Sequence, residues 1–322
     1  MDTRHLKFLK SDMAQICAPK TRSIIKAKLL YYFFQRSIAN IFLKFYLKRH
    51  FLNDDTSKLI DFFLLGQGGM FKKYVYKICD NYCSLKGSTI LVPGVGYGRN
   101  LFQLSAFRPK RIISFDLFEY QQEWNFLKEE ISKKFNVEVI FYKGNIEDVP
   151  ADYESSFDFV ISDAVLEHVT NLNKFVKACS KFLKNNGIFY ASFGPIWYGP
   201  GGDHIFWGDK RIFDHLILPK KTYEKNLNEK SKLLQYDSCN GVFLSRNKLF
   251  SYLPAGDYFK VLSRANFKKL LAYAKISKQA IHLTKKNPKI WDMLEEKQVP
   301  RFDRFCSGIY LWMRSHRGDV CK

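Results

Sequence analysis

The sequence predicts an α/β fold built on a mostly parallel sheet with helices on both faces. Three observations carry this. Residues 90–100, ILVPGVGYGRN, place three apolar residues before glycines at 94, 96 and 98 and then open a helical segment. That is the pattern of a buried strand, a tight turn and a helix N-terminus, where backbone N–H groups favour a polar or anionic ligand. Short apolar runs then alternate with helical segments from residue 90 to 193, as βαβ units do. Finally, each of the first four runs ends on residues able to hold a ligand, and open α/β sheets bind ligands beyond the carboxyl ends of their strands.

The elements follow in order. Residues 21–65 contain no Gly or Pro, so a long helical region is expected there. Within 24–52, Lys28, Arg36, Asn40, Lys44 and Lys48 form one polar stripe on an otherwise apolar, aromatic-rich helix. Such a helix packs on the main domain as a cap or lies on an anionic membrane surface. Residues 1–86 are therefore expected as a basic helical extension and 87–322 as the main domain. Residues 70–82 read as a helix, 90–92 as the first strand and 101–107 as the helix after the glycine turn. Strands are expected at 111–115, 137–142, 157–162 and 188–193, and helices at 120–135 and 172–183. Asn185-Asn186-Gly187 reads as the stop of the last of these helices. Residues 196–208, rich in Gly, Pro and Trp, read as a loop or lid, opening an insertion over about 196–250. Residues 210–235 are expected to be partly helical, 265–274 to be helical, and 306–313 to form a closing strand antiparallel to its neighbours.

The charge of +21 lies in the flanks. Residues 1–50 carry net +9 and residues 210–322 net +14, while 51–209 carry net −2. Basic flanks suggest an acidic partner, whether nucleic acid, a membrane surface or a phosphorylated substrate, or simply solvated lysines. The seven cysteines are scattered, with no CxxC pair and no Cys/His ligand spacing, so reduced thiols in a cytoplasmic protein and no metal are expected. No apolar run approaches the roughly 20 residues needed to span a bilayer.

The strand ends supply the candidate site. Gly94, Gly96 and Gly98 form the turn. Asp116, 18 residues after Gly98, is placed to accept ribose hydroxyls. Asn145 and Ile146 suit the edge and face of an adenine. Asp163 ends the fourth strand, and Glu167 and His168 follow it. The glycine spacing is GxGxG followed by Arg99, where a dinucleotide turn would have GxGxxG.

With ILVPGVGYGRN, the runs SFDLFEYQQEW, GNIEDVP, FDFVISDAVLEHV and LKNNGIFYASFGP resemble the class I S-adenosylmethionine-dependent methyltransferases over about residues 88–195. The resemblance implies a Rossmann-like seven-stranded sheet with a reversed final hairpin, and S-adenosyl-L-methionine as cofactor. It implies that Gly94, Gly96 and Gly98 meet the cofactor's amino-acid moiety, that Asp116 holds the ribose, that Asn145 and Ile146 frame the adenine, and that Asp163 lies near the sulfonium. Two positions depart from the family pattern. Val92 stands where an acidic residue usually precedes the turn, and Asn145 where Asp is common.

Methyl transfer to oxygen or nitrogen needs an aligned nucleophile and a base for its proton. His168 and His204 are the candidate catalytic residues, with a fold-stabilising hydrogen bond as the other reading of His168. Trp197, Tyr198, Asp203 and Trp207 join His204 in a loop with the mixed aromatic and titratable character of a substrate pocket, or of a surface loop anchored by tryptophan packing. The expected function is methyl transfer to a small molecule or glycan precursor. Alternatives are an RNA methyltransferase served by the basic flanks, and a non-catalytic methyltransferase fold that binds a membrane or partner. Against RNA, Ser162-Asp163-Ala164-Val165 stands where an Asn-Pro-Pro-aromatic type of motif would be.

Overall fold

The first strand, β1 (Thr89–Pro93), lies at the centre of the molecule because its residues alternate between two apolar faces. The computed structural model describes residues 72–205, 211–231 and 241–316. Helix α1 (Lys72–Tyr82) precedes β1. Then come α2 (Arg99–Ser105), β2 (Arg111–Asp116), α3 (Gln121–Phe135), β3 (Glu138–Lys143), β4 (Phe157–Asp163), α4 (Leu172–Phe182) and β5 (Leu183–Phe193). Four helices follow: α5 (Asp214–Ile217), α6 (Lys220–Ser231), α7 (Gly241–Arg246) and α8 (Ala255–Arg264). The chain closes with β6 (Phe267–Ile276), α9 (Lys278–Lys286), α10 (Pro288–Glu296) and β7 (Cys306–Ser315).

The sheet has seven strands in the order β3-β2-β1-β4-β5-β7-β6. The first five pair in parallel, and β7 runs antiparallel between β5 and β6. The expected fold class is the one observed. Strand direction of travel reverses between β1 and β4, which opens the ligand crevice at their carboxyl ends. Period-two alternation divides the core. Ile90, Ile112, Val139 and Phe159 pack against α1, α2 and α3, while Leu91, Ile113, Val160 and Phe189 pack against α4 and α8. Helix α1 contributes Val75, Tyr76 and Cys79 to the first of these layers, so residues 72–82 share the core of the sheet.

Helix ends follow local chemistry. Asn171 accepts the Lys174 N–H at the start of α4, and Ser277 accepts the Ala280 N–H at the start of α9. Asn136 closes α3 in the left-handed region at φ 54°.

Three expectations are corrected. Residues 265–274 are not helical. The helix lies earlier, at α8, and Asn266 turns left-handed at φ 60° directly after it. The Lys/Leu/Ala-rich run that follows is edge strand β6, held by its pairing with β7, where Tyr273 stacks on Tyr310 at 4.7 Å. Tertiary pairing outweighs helix propensity there. Second, Asn185-Asn186-Gly187 does not stop α4, which ends at Phe182 as Leu183 goes extended; β5 already runs through these residues, and it is Asn186 that takes a positive φ. Third, the described part of the segment after β5 is a loop, one of the two forms expected, but it is not a surface loop. Gly199, Pro200, Gly201, Gly202 and Asp203 are all buried.

The helix expected at 24–52 and the extension up to residue 71 lie outside the described residues, as does Trp207. Among the described residues no helix is long and apolar enough to cross a membrane, and Cys79, Cys83, Cys179 and Cys306 are free thiols.

One buried carboxyl makes stability pH-dependent. Asp303 is 1% exposed and accepts the Ala255 N–H at 3.0 Å, at the start of α8. Burial pushes its pKa up to about 7, with Asp257 adding to the rise and the Ala255 bond opposing it. The folded chain therefore holds a proton that the unfolded chain releases near pH 4, so this contribution is full below pH 4 and is lost as pH rises through 7. Asp303→Asn is expected to flatten that decline and to raise the melting temperature at pH 8, with little change at pH 4–5. Parallel melting curves for the two proteins across this range would show the carboxyl to be uninvolved.

Candidate functional site

The sequence VPGVGYG can turn sharply at the end of β1 because all three glycines sit in the left-handed region, at φ 68°, 53° and 80° for Gly94, Gly96 and Gly98. An L side chain is disfavoured there. The Gly94 and Val95 N–H groups donate to Phe115 O at 2.7 and 3.0 Å, tying the turn to the end of β2. A Cβ on Gly94 would overlap the Val165 side chain, and one on Gly98 would come within 2.7 Å of Leu127 Cδ1. Gly96 differs, since a Cβ there meets nothing within 4 Å.

Asp116 closes over this turn. Its Oδ2 accepts the Gly96 N–H at 2.6 Å and its Oδ1 the Phe118 N–H at 3.0 Å. Burial raises its pKa, and the bonds from Phe118 and Gly96 work against that rise. A carboxylate has about four acceptor positions, and the backbone of Phe118, Gly96 and Leu117 occupies some of them, leaving room for a hydroxyl donor. Trp124 fixes the turn from the other side, donating its indole N–H to Gly96 O at 2.8 Å while stacking on Phe141.

At the end of β4, Asp163 Oδ1 accepts the Ser192 hydroxyl at 2.6 Å, and its Oδ2 is 3.4 Å from both Tyr76 OH and Asn100 Nδ2. Beside it lies a cavity of about 30 Å³, bordered by Tyr76, Val92, Gly94, Val95, Asn100 and Asp163. Val92 forms an apolar wall, so the carboxylate in this part of the crevice comes from β4. Burial, and after it the charge of Asp163, holds the Tyr76 hydroxyl far above its ordinary pKa, which keeps it a donor. At the end of β3, the Gly144 N–H donates to Asp116 O at 2.8 Å. The next residue, Asn145, is exposed, with its N–H on Asp148 Oδ2. Ile146 is 5% exposed and packs with Phe115 and Val149.

A second cluster lies beyond β4 and β5. His168 Nδ1 is 2.9 Å from Leu249 O, and His204 Nε2 is 3.0 Å from Pro195 O. The rings meet edge to face at 4.9 Å, with Phe250 against both. Burial lowers both imidazole pKa values to about 4; for His204 the neighbouring His168 lowers it further, and for His168 the Leu249 bond works the other way. Glu167 is buried, with Oε1 accepting the Gly194 N–H at 2.8 Å. Trp197 packs on Phe250, Tyr252 and His215. Tyr198 points elsewhere, into the cluster of Ile212 and Phe213. Asp203 is fully buried and accepts the Tyr223 hydroxyl at 3.0 Å and the Ile205 N–H at 3.2 Å.

The structure thus ties Asp116 to Gly96 of the glycine turn, places Gly94 and Asp163 on one small cavity, and sets His168 and His204 against each other, with Trp197 packed on the same Phe250. Sequence reasoning missed Tyr76, Asn100, Trp124 and Ser192. Trp124 was within reach, as the one tryptophan of the SFDLFEYQQEW run, but its bond to Gly96 depends on where α3 docks.

Residues 91–191 match the family described as a methyltransferase domain. Over 105 residues the chain is 30% identical to the ubiquinone biosynthesis O-methyltransferase of Bartonella quintana (strain Toulouse), covering 30% of this chain and 42% of that protein; the match spans less than half the relative's length. Among solved structures it resembles an S-adenosylmethionine dependent methyltransferase from Mesorhizobium loti, with 14% identity, TM-score 0.45 and coverage of 77% of this chain and 100% of that one. It also resembles a geranyl diphosphate methyltransferase in complex with SAM, with 12% identity, TM-score 0.46 and coverage of 75% and 84%.

Proposed function

We propose that this chain, whose residues 91–191 are a methyltransferase domain of the class I S-adenosylmethionine-dependent type, moves a methyl group to an oxygen or nitrogen of a small-molecule or glycan-precursor acceptor. The observation that carries the reading is the closure of Asp116 onto Gly96 in the turn after β1, with Asp163 on the cavity beside Gly94 and Val95 of the same turn. Space beside Gly96, where a Cβ would meet nothing within 4 Å, supports a ligand's approach to the backbone there. S-adenosylmethionine supplies an activated methyl group on a sulfonium. The protein's part is to hold it, align the acceptor and keep water away.

In this reading Asp116 takes the ribose hydroxyls on its remaining acceptor positions, and Asn145 and Ile146 flank the adenine. Asp163, with Tyr76 and Asn100 beside it, takes the positively charged amino-acid end. Trp197 and the neighbouring aromatic rings form a wall for the acceptor. His168 and His204 stay uncharged at neutral pH and offer the ring nitrogens not spent on carbonyl oxygens, His168 Nε2 and His204 Nδ1, as proton acceptors. Asp203, bonded to Tyr223, holds the loop that presents His204.

Asp116→Ala removes hydrogen bonding to a charged group, a loss of about 1.5–3 kcal/mol in all, so cofactor affinity should fall roughly 10–100-fold. Calorimetric titration with S-adenosylmethionine measures this, and an unchanged affinity would refute the ribose assignment. The test of the whole reading is turnover of labelled cofactor against fractionated cell extract, followed by mass measurement of the product. No cofactor binding at millimolar concentration would end it.

A further inference from the structure

We infer that Glu167, His168 and His204 form a site for a first-row divalent metal ion, held by two imidazole nitrogens and one carboxylate oxygen. One ligand atom from each residue lies within 4.8 Å of the other two. The three come from separate places in the chain. Glu167 and His168 sit on the short turn after β4, and His204 on the buried loop after β5. No local ligand spacing announces such a site, which is why the sequence pattern predicted no metal.

The hydrogen bonds decide what these groups present to one another. A carbonyl oxygen can only accept, so His168 donates Nδ1–H to Leu249 O and His204 donates Nε2–H to Pro195 O. Each neutral ring then carries its lone pair on the other nitrogen. His168 Nε2, His204 Nδ1 and the Glu167 carboxylate are thus the acceptors this cluster can offer a cation. A metal-ligating histidine characteristically gives its second N–H to a backbone carbonyl or carboxylate, which fixes its tautomer and aim, and both histidines do so here.

The backbone holds the arrangement in place. His204 sits at φ 61°, a conformation disfavoured for a non-glycine residue and kept only where the surroundings impose it. The surroundings are Asp203 on Tyr223, the His204 N–H on Gly201 O, and the Gly201 N–H on Ile212 O. Glu167 is anchored through Oε1 on the Gly194 N–H and through its main-chain oxygen, which accepts the Ser251 N–H.

Two imidazoles and a carboxylate suit zinc, iron(II) or cobalt(II) better than magnesium or calcium, which favour all-oxygen sets. Three protein ligands leave a fourth position for water or an oxygen of a bound molecule. A tetrahedral ion with bonds of about 2.1 Å spaces its ligands about 3.4 Å apart, so metal binding draws these atoms inward by side-chain adjustment. With an ion bound, the two imidazoles are ligands and no longer bases, so the open position would take over the acceptor hydroxyl, a use that rests on the methyltransferase reading. Occupancy by metal does not.

The test uses tag-free full-length protein, stripped with chelator and titrated with Co²⁺ and then Zn²⁺. The expected result is one equivalent of Co²⁺ with visible bands of a low-coordinate nitrogen–oxygen site, displaced by Zn²⁺, and a higher melting temperature with metal bound. His204→Gln and Glu167→Gln should each weaken Co²⁺ binding at least 10-fold, whereas His282→Gln, on the exposed face of α9, should leave it unchanged. Substoichiometric Co²⁺, or full binding in His204→Gln, overturns the inference. Should a variant fail to fold, X-ray absorption of the wild-type Zn²⁺ form decides, since a shell without imidazole scattering excludes these ligands. S-adenosylmethionine titration of the stripped protein separates the two ideas. Cofactor binding without any metal site leaves the methyltransferase reading intact and ends this one, and a metal site without cofactor binding does the reverse.

Discussion

Gly96→Ala is expected to keep the fold and weaken S-adenosylmethionine binding by about 30-fold or more, or about 2 kcal/mol, whereas Gly94→Ala is expected to lose both cofactor and stability. The two glycines share a left-handed backbone, so each substitution carries about 1–2 kcal/mol of local strain. Their surroundings separate them. The new methyl group on residue 96 points into open space. In the free protein it touches nothing, and in the proposed complex it would stand where the ligand approaches. The methyl group on residue 94 would overlap Val165, which is locked in the turn leading to His168. Relief requires pushing that turn away from β1, at an added cost of about 1–3 kcal/mol. Melting temperature and calorimetric affinity, measured on both variants, give the comparison. If Gly96→Ala binds cofactor as the wild type does, the ligand does not cross over residue 96, and the assignment of the turn fails.

The same contrast shows what was legible in the sequence. A run such as ILVPGVGYGRN announces strand, turn and helix locally, because buried alternation and left-handed glycines are properties of adjacent residues. Asp116 and Asp163 were legible for a related reason: a parallel sheet brings its strand ends to one edge, so order along the chain becomes proximity in space. Position 92 was legible as a departure. The carboxylate beside it was not, since Asp163 reaches the cavity that Val92 lines through pairing of β1 with β4 and is steadied by Ser192 and Tyr76 from distant elements. Strand β6 was misread because half-buried edge strands show no clean alternation, and Leu-Leu-Ala-Tyr-Ala suits a helix until β7 supplies a partner. The loop after β5 reads as exposed, because its composition is that of surface turns. Its burial comes from packing against residues 211–213 and 223, a contact that no local pattern encodes. The histidine cluster depends on that same burial.

Gly202→Ala should therefore be among the most damaging single-methyl changes in the described chain. A Cβ at residue 202 would overlap the carbonyl oxygens of both Ile196 and Trp197. These are backbone atoms, fixed by the Gly199 N–H on Ile196 O, the Gly202 N–H on Gly199 O and the His215 side chain on Trp197 O, so no rotamer change relieves the overlap. The loop must lift from β5, exposing Ile196 and uncovering the buried Asp203, and the expected destabilisation is about 3–5 kcal/mol, in the range reserved for broken cores and stranded polar groups. Gly256→Ala is the matched control. A Cβ there meets nothing within 4 Å, and the residue lies inside α8 without a positive φ, so alanine should stabilise by roughly 0.5–1 kcal/mol. Urea denaturation midpoints measure both. The functional consequence is more discriminating than the stability loss. Residue 202 adjoins Asp203 and His204 but lies apart from the Gly94–Asp116 crevice, so in the cold, where the variant stays folded, cofactor affinity should hold while acceptor turnover and Co²⁺ binding collapse. Loss of cofactor affinity in step with turnover would mean that the loop and the crevice are one cooperative unit, and that the two sites cannot be assigned separate tasks.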